Sequence, residues 1–241
     1  MKSHRNKLIF EYNCNIMKPI KNEVGNDMGN FFNPDGSIMK ALGRIADLAI
    51  LNLLWLICSL PVVTMGAATT ALLSVTLKMV KNEESYIFRG YIKALKRNFK
   101  QSTIIWLVLL AVMIVLGTDY YIISHWDSQL KYLLLTVVIL AGLILLFVEL
   151  YIFPLIAKFE NTVGEYFKNA VLMSIRHLPY TLILAVIFGM QVYACFYMLV
   201  NYQFLPILIL FGESAFVYVM SYLYAKIFRG YEAVPEDEGT I

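Results

Sequence analysis

The sequence predicts an all-α fold: a polytopic transmembrane helical bundle of about six helices in three hairpins, with amphipathic helices on the cytoplasmic side. Three observations lead there. Of the 241 residues, 59% are hydrophobic, more than the roughly half expected of a soluble domain. Those residues gather into long uninterrupted runs. Nineteen of the 20 Lys and Arg residues fall in alternate gaps between the runs, the asymmetry expected of a protein that crosses a bilayer repeatedly.

A hydrocarbon core about 30 Å thick takes roughly 20 helical residues to cross. Residues 45–63, 103–123, 132–156, 180–200 and 204–224 meet that length. Residues 64–77 are richer in small side chains and only about 20 Å long as a helix. Counted as the second of six segments, this stretch puts the basic residues of 1–44, 78–100, 158–176 and the C-terminal tail on one side, with Lys131 the exception. Without that crossing the basic N-terminal region would lie opposite the later basic loops. The stretch is therefore read as a return crossing, lengthened by a snorkelling Lys78, or as a deep re-entrant element. Both termini are expected in the cytoplasm, with residues 124–130 and 201–203 outside.

Residues 28–231 read as a single membrane domain. Residues 1–27 are polar and basic, and their one apolar patch is too short for a signal-peptide core. They are read either as a disordered basic leader or as the product of a misplaced start, with Met28 the alternative. Residues 232–241 are acidic, interrupted by Pro235, and expected to be disordered.

Inside the first two segments, Pro61 lacks a donor N–H and disfavours helix at Leu60, so it is expected to bend or end the first span. Thr64 and Gly66 suit a turn or helix start, and Gly66, Ala67, Thr69 and Thr70 allow close helix approach. That reads as a well-packed hairpin or, more sharply, as a broken element lining a cavity. In residues 86–100, Phe88, Tyr91, Ile92, Leu95 and Phe99 share a helical face, with Arg89, Lys93, Lys96, Arg97 and Lys100 elsewhere. The pattern predicts an interfacial basic helix, its cations near the anionic lipid of the cytoplasmic leaflet, or a docking surface for a partner protein. Short basic amphipathic stretches precede all three hairpins. This is a repetition that transporters often carry and that juxtamembrane composition can also produce.

Glu149 and Glu213 are the two carboxylates well inside apolar segments, where such groups usually face a bundle interior, a cavity or a partner. Counted from the cytoplasmic ends of the runs, Glu149 lies about 10 Å deep and Glu213 about 18 Å. Asn52 falls near the Glu149 level and Gln191 near that of Glu213. A short loop makes the fifth and sixth helices antiparallel neighbours, so Gln191 is expected to pair with Glu213. Ser214, Tyr218 and Tyr222 extend a polar strip from it. These polar residues read either as hydrogen-bonded helix glue or as part of a proton, cation or ligand pathway.

Other chemistries find no footing. The net charge of +3 comes from cations beside apolar segments, which argues against nucleic-acid binding. Cys14, Cys58 and Cys195 are scattered, as are His4, His125 and His177, so no metal-ligand spacing exists. No nucleophile–base set or phosphate loop is present. No enzyme activity and no cofactor are expected.

Residues 52–71, NLLWLICSLPVVTMGAATTA, are flanked by Phe31-Phe32, Arg44-Ile45-Ala46-Asp47 and Phe99-Lys100-Gln101-Ser102-Thr103. This ordered combination of Asn, Trp, Pro and a Gly/Ala/Thr run resembles the signature of the YesL-like family of bacterial membrane proteins, from about Met28 to the C-terminus. The resemblance implies a plasma-membrane protein of unknown molecular function. Family members look like accessory proteins of carbohydrate uptake and breakdown systems in Gram-positive bacteria, so a carbohydrate transporter or other membrane protein is the partner implied. No catalytic residue carries over. Two functions are therefore expected: a non-enzymatic accessory or scaffold protein, or a small secondary transporter using Glu149 and Glu213.

Overall fold

In the computed structural model, residues 37–83, 86–126 and 129–231 are described; the leader 1–27 and the tail 232–241 lie outside them. Eight α-helices and no strand are found among the described residues. They are α1 Ser37–Ser59, α2 Met65–Lys81, α3 Ile87–Ser124, α4 Lys131–Lys158, α5 Val163–Arg176, α6 Leu178–Val200, α7 Leu205–Phe211 and α8 Ser214–Phe228. Five of these helices are long and apolar enough to cross a membrane. A sixth span results if the bent pair Tyr202–Phe211 and Ser214–Phe228 is counted as one. This is a multi-pass membrane protein. Residues 37–47 form a unit by themselves, the first turns of α1, with Leu42 and Ile45 exposed. The second unit begins at Leu48.

Helix α2 is the hub of that second unit. Two thirds of its apolar window is buried (67%), against 11–17% for the other four candidate spans, and it packs on α3, α4 and α8. Small residues make this possible. A Cβ on Gly66 would collide with the Cβ of Trp106 and lie 3.0 Å from the Ser102 carbonyl oxygen. The hydroxyls exposed by such close approach bond across the interfaces. Ser102 donates to Thr70 (2.9 Å), the Thr76 and Ser221 hydroxyls hydrogen-bond each other (2.8 Å), and Ser74 reaches the Ala157 carbonyl (3.3 Å). The span runs Val62–Lys81, four residues further towards the C-terminus than the apolar run suggests. It is therefore long enough for a full return crossing rather than a shallow loop.

The turn between α1 and α2 follows from Pro61. Helix α1 ends at Ser59, Pro61 is extended, and Val62–Thr64 makes one 3-10 turn. The Thr64 hydroxyl bonds backwards, to the Cys58 carbonyl at 2.7 Å and that of Pro61 at 2.9 Å. It closes the end of α1 rather than capping the start of α2.

Helix α3 corrects one expectation. A separate interfacial helix over 86–100 does not form, since α3 continues without a break for 38 residues, about 57 Å at 1.5 Å per residue. Nothing in Gln101-Ser102-Thr103 breaks a helix, so the basic segment prolongs the span. Its buried face is Tyr91, Ala94 and Asn98, whereas Phe88 and Phe99 are exposed. Tyr91 donates to the Ala68 carbonyl of α2 at 3.3 Å. Arg89, Lys93, Lys96, Arg97 and Lys100 all lie on the exposed faces.

Helix α4 contains Pro154, which cannot donate to the carbonyl of Leu150 four residues earlier. The buried Tyr224 of α8 supplies the missing donor, its hydroxyl 2.6 Å from that oxygen. Between α4 and α6 lies the amphipathic α5. Its N-terminus is fixed by a capping box: Thr162 accepts from the Glu165 backbone N–H while the Glu165 carboxylate accepts from the Thr162 backbone N–H and hydroxyl. These bonds, the backbone one foremost, hold the Glu165 carboxyl below the usual glutamate range.

Candidate functional site

The sequence left Pro61 as either a simple hairpin or a broken element, and read the sixth span as continuous. The structure has a simple hairpin at Pro61 and the break in the sixth span, where α7 and α8 meet at 43° around Gly212 and Glu213. Within an apolar medium a broken helix must find new partners for the backbone groups it frees. Here a single side chain supplies them. Asn52 of α1, 1% exposed, accepts from the N–H groups of Glu213 and Ser214, both at 2.9 Å. Its amide nitrogen donates to the carbonyls of Ile209 (2.8 Å) and Leu208 (3.2 Å). An asparagine amide offers two donors and two acceptor lone pairs. All four are used, and Asn52 is spliced into the ladder at the break.

Helix ends explain why Asn52 does not lie level with Glu149, as the run lengths had suggested. Helix α1 stops at Ser59 and α8 extends to Phe228. Asn52 is then about 10 Å from the Ser59 end of α1 and Glu213 about 22 Å from the Phe228 end of α8, the opposite ends of two crossings. In a core about 30 Å thick these are the same depth.

Gln191 stands where sequence reasoning placed it. Its amide donates to a Glu213 carboxylate oxygen at 2.6 Å, and its own side chain is buried. Ser214 is fully buried with no partner for its hydroxyl among the described residues. Tyr218 and Tyr222 bond each other on a partly exposed face, apart from the break.

Glu149, on α4, is not brought to Asn52. It lines a cavity of about 460 Å³ whose other walls include Glu213, Gln191, Thr69 and the two indoles of Trp55 and Trp106. Glu149 has no hydrogen-bond or ion-pair partner among the described residues. The indole N–H groups are engaged elsewhere, Trp55 on the Thr69 hydroxyl at 3.1 Å and Trp106 on the Val62 carbonyl at 2.6 Å. Both rings are thereby fixed beside the cavity. The two tryptophans, Cys195 and Phe153 were not singled out from sequence as lining anything. Their only sequence signal is aromatic or sulfur character in a span, which packing explains equally well. Among the described residues no three His, Cys, Asp or Glu side chains cluster as a metal site.

Comparison with known proteins bears on the same segment. Residues 48–120, which carry Asn52, Trp55, Gly66, Thr69 and Trp106, match the family described as "Protein of unknown function, DUF624". A relative from Bacillus subtilis (strain 168), "Uncharacterized protein YesL", is 27% identical over 195 residues, 79% of this chain and 89% of that one. The chain is similar to YesL over most of the length of both. Two further relatives from the same organism, "Uncharacterized protein YesV" and "Uncharacterized protein YteU", are 25% identical over 200 residues and 27% over 153. They cover 81% and 61% of this chain, and 93% and 68% of their own. No solved structure matches this chain. The family is one of unknown function, so the geometry has to carry any functional argument.

Proposed function

We propose that this YesL-like protein is a non-enzymatic accessory or scaffold protein of the bacterial plasma membrane, serving carbohydrate uptake or its regulation. The observation that carries the proposal is the use of the intramembrane polar groups. Asn52 commits all four of its hydrogen bonds to the α7–α8 break, Gln191 commits an N–H to Glu213, and Tyr224 repairs the Pro154 gap. These groups hold helices in fixed register, which suits a rigid body that organises partners. The link to carbohydrate systems is what the family resemblance of residues 52–71 implies. The distribution of basic residues supports termini in the cytoplasm. Arg89, Lys93, Lys96, Arg97 and Lys100 at the basic end of α3 suit anionic headgroups, which reward cations near the surface. Affinity purification from native membranes under mild detergent tests the role. A stoichiometric membrane partner, a carbohydrate transporter in particular, is expected, and recovery of the lone chain would overturn it.

A second reading is favoured by the cavity. Two carboxylates on facing helices beside a broken span is an arrangement that small secondary transporters use. Under that reading Glu149 and Glu213 lie on the solute path. Solute flux by the lone protein in liposomes, lost in Glu149→Gln, is the expected result.

A further inference from the structure

The cavity bordered by α1, α2, α3, α4, α6 and α8 carries more chemistry than packing requires. It is larger than a packing defect and falls in the size range of small-molecule sites, about 300–1,000 Å³. Its lining contains Glu149 and Glu213 and no Lys, Arg or His. Glu149 has no partner among the described residues. Glu213 uses one oxygen on Gln191. Two carboxyls facing one apolar space have to be neutralised by protons or by a cation, since an isolated charge there is strongly disfavoured. Aromatic walls add an attraction that only a cation can use. Trp106 and Phe153 stand 6.3 Å apart between ring centroids on the same wall, and ring faces attract cations.

From this lining we propose that the cavity is a binding site for an organic cation with an apolar body. The other ligand classes fit poorly. An anion meets two carboxyls and no cation. A polyol would bury hydroxyls against walls that are mostly hydrocarbon, leaving them without partners. A wholly apolar ligand would leave Glu149 as it stands, half-buried and unpaired. A single positive charge on an aromatic or aliphatic frame satisfies the carboxyls and the walls together. The site holds whether the cation is carried across the membrane or only sensed, and it does not rest on the accessory role.

The test compares two ions of one shape and opposite charge, tetraphenylphosphonium and tetraphenylborate, by equilibrium dialysis against the full-length protein in detergent. Tryptophan fluorescence serves as the second readout, because Trp55 and Trp106 border the cavity. The phosphonium is expected to bind saturably at one per chain, at least about tenfold more tightly than the borate. Glu149→Gln should weaken phosphonium binding by a similar factor while leaving the melting temperature unchanged, as Glu149 holds nothing in place. Glu213→Gln, which keeps a hydrogen-bonding end towards Gln191, should do the same independently. Equal binding of the two ions, no saturable phosphonium binding, or full affinity in both variants would overturn the proposal.

Discussion

Replacing Asn52 by leucine removes one side chain and breaks a helix–helix junction. The substitution keeps approximate volume in a site that is 1% exposed. It leaves the N–H groups of Glu213 and Ser214 and the carbonyl of Ile209 without partners. Leu208 loses less, because its carbonyl still accepts from the Gly212 N–H at 2.9 Å. Three buried groups at about 1–2 kcal/mol each give a loss of about 3–6 kcal/mol. Measured intramembrane hydrogen bonds average nearer 0.6 kcal/mol, so relaxation could bring the loss down to about 2 kcal/mol. Asn52→Asp separates the two halves of the interaction, since a carboxylate end can still accept from Glu213 and Ser214 but a charged one cannot donate to Ile209. It should lie between wild type and leucine when protonated. Thermal unfolding in detergent, followed by far-UV circular dichroism, reads the order wild type, Asp, Leu. Asn201→Ala serves as control, since Asn201, just past the end of α6, makes only an exposed side-chain bond back to the Tyr197 carbonyl. A leucine variant as stable as wild type would mean that α7 and α8 close into a regular helix unaided, and the splice argument would be wrong.

Gly66→Ala should cost about 1–3 kcal/mol, because the new methyl meets the Trp106 Cβ and the Ser102 carbonyl rather than the tip of a flexible side chain. Gly117→Ala, with open space around it, should be neutral or slightly stabilising in the same melts. The capping box makes a pH-dependent contribution. Since folding lowers the Glu165 pKa, its stabilisation is full above the ordinary glutamate pKa and disappears as pH falls through the lowered value. The stability gap between wild type and Glu165→Ala should therefore narrow on acidification, and a gap constant with pH would count against the box. For topology, Ser128→Cys in a background lacking native cysteines should react with an impermeant maleimide in intact cells, and Ser85→Cys should not. The reverse pattern would invert the bundle.

Much of this architecture is legible in the order of residues. Apolar run lengths locate the spans, Pro61 ends the first of them, and the short link after Val200 forces Gln191 and Glu213 into antiparallel helices at matching depth. What could not be read is of one kind. The break at Gly212–Glu213 has a weak local signature, a glycine before a glutamate in an apolar run. Its stabilising partner lies about 160 residues away in sequence, the Asn52 to Glu213 separation being 161. Pro154 announces a freed carbonyl, yet nothing near it in sequence points to Tyr224, 74 residues beyond Leu150. The interfacial helix was misplaced for the opposite reason. Amphipathic composition changes at residue 100 while helical continuity does not, and a backbone with no breaker continues straight through the change.

The buried hub has a consequence for biogenesis. Helix α2 has the lowest mean hydropathy of the five candidate spans and the largest share of its surface against protein. Alone in lipid it would present Thr70, Ser74 and Thr76 to hydrocarbon, and its partner hydroxyl at Ser221 is made 145 residues later. Asn52 waits longer still, for a break that exists only once α8 has been synthesised. The first hairpin therefore leaves the translocon with its polar groups uncovered, and the last helix completes it. A chain truncated before Ser214 exposes that unfinished surface within the bilayer, a mark that membrane quality control can read before any of the protein's own work begins.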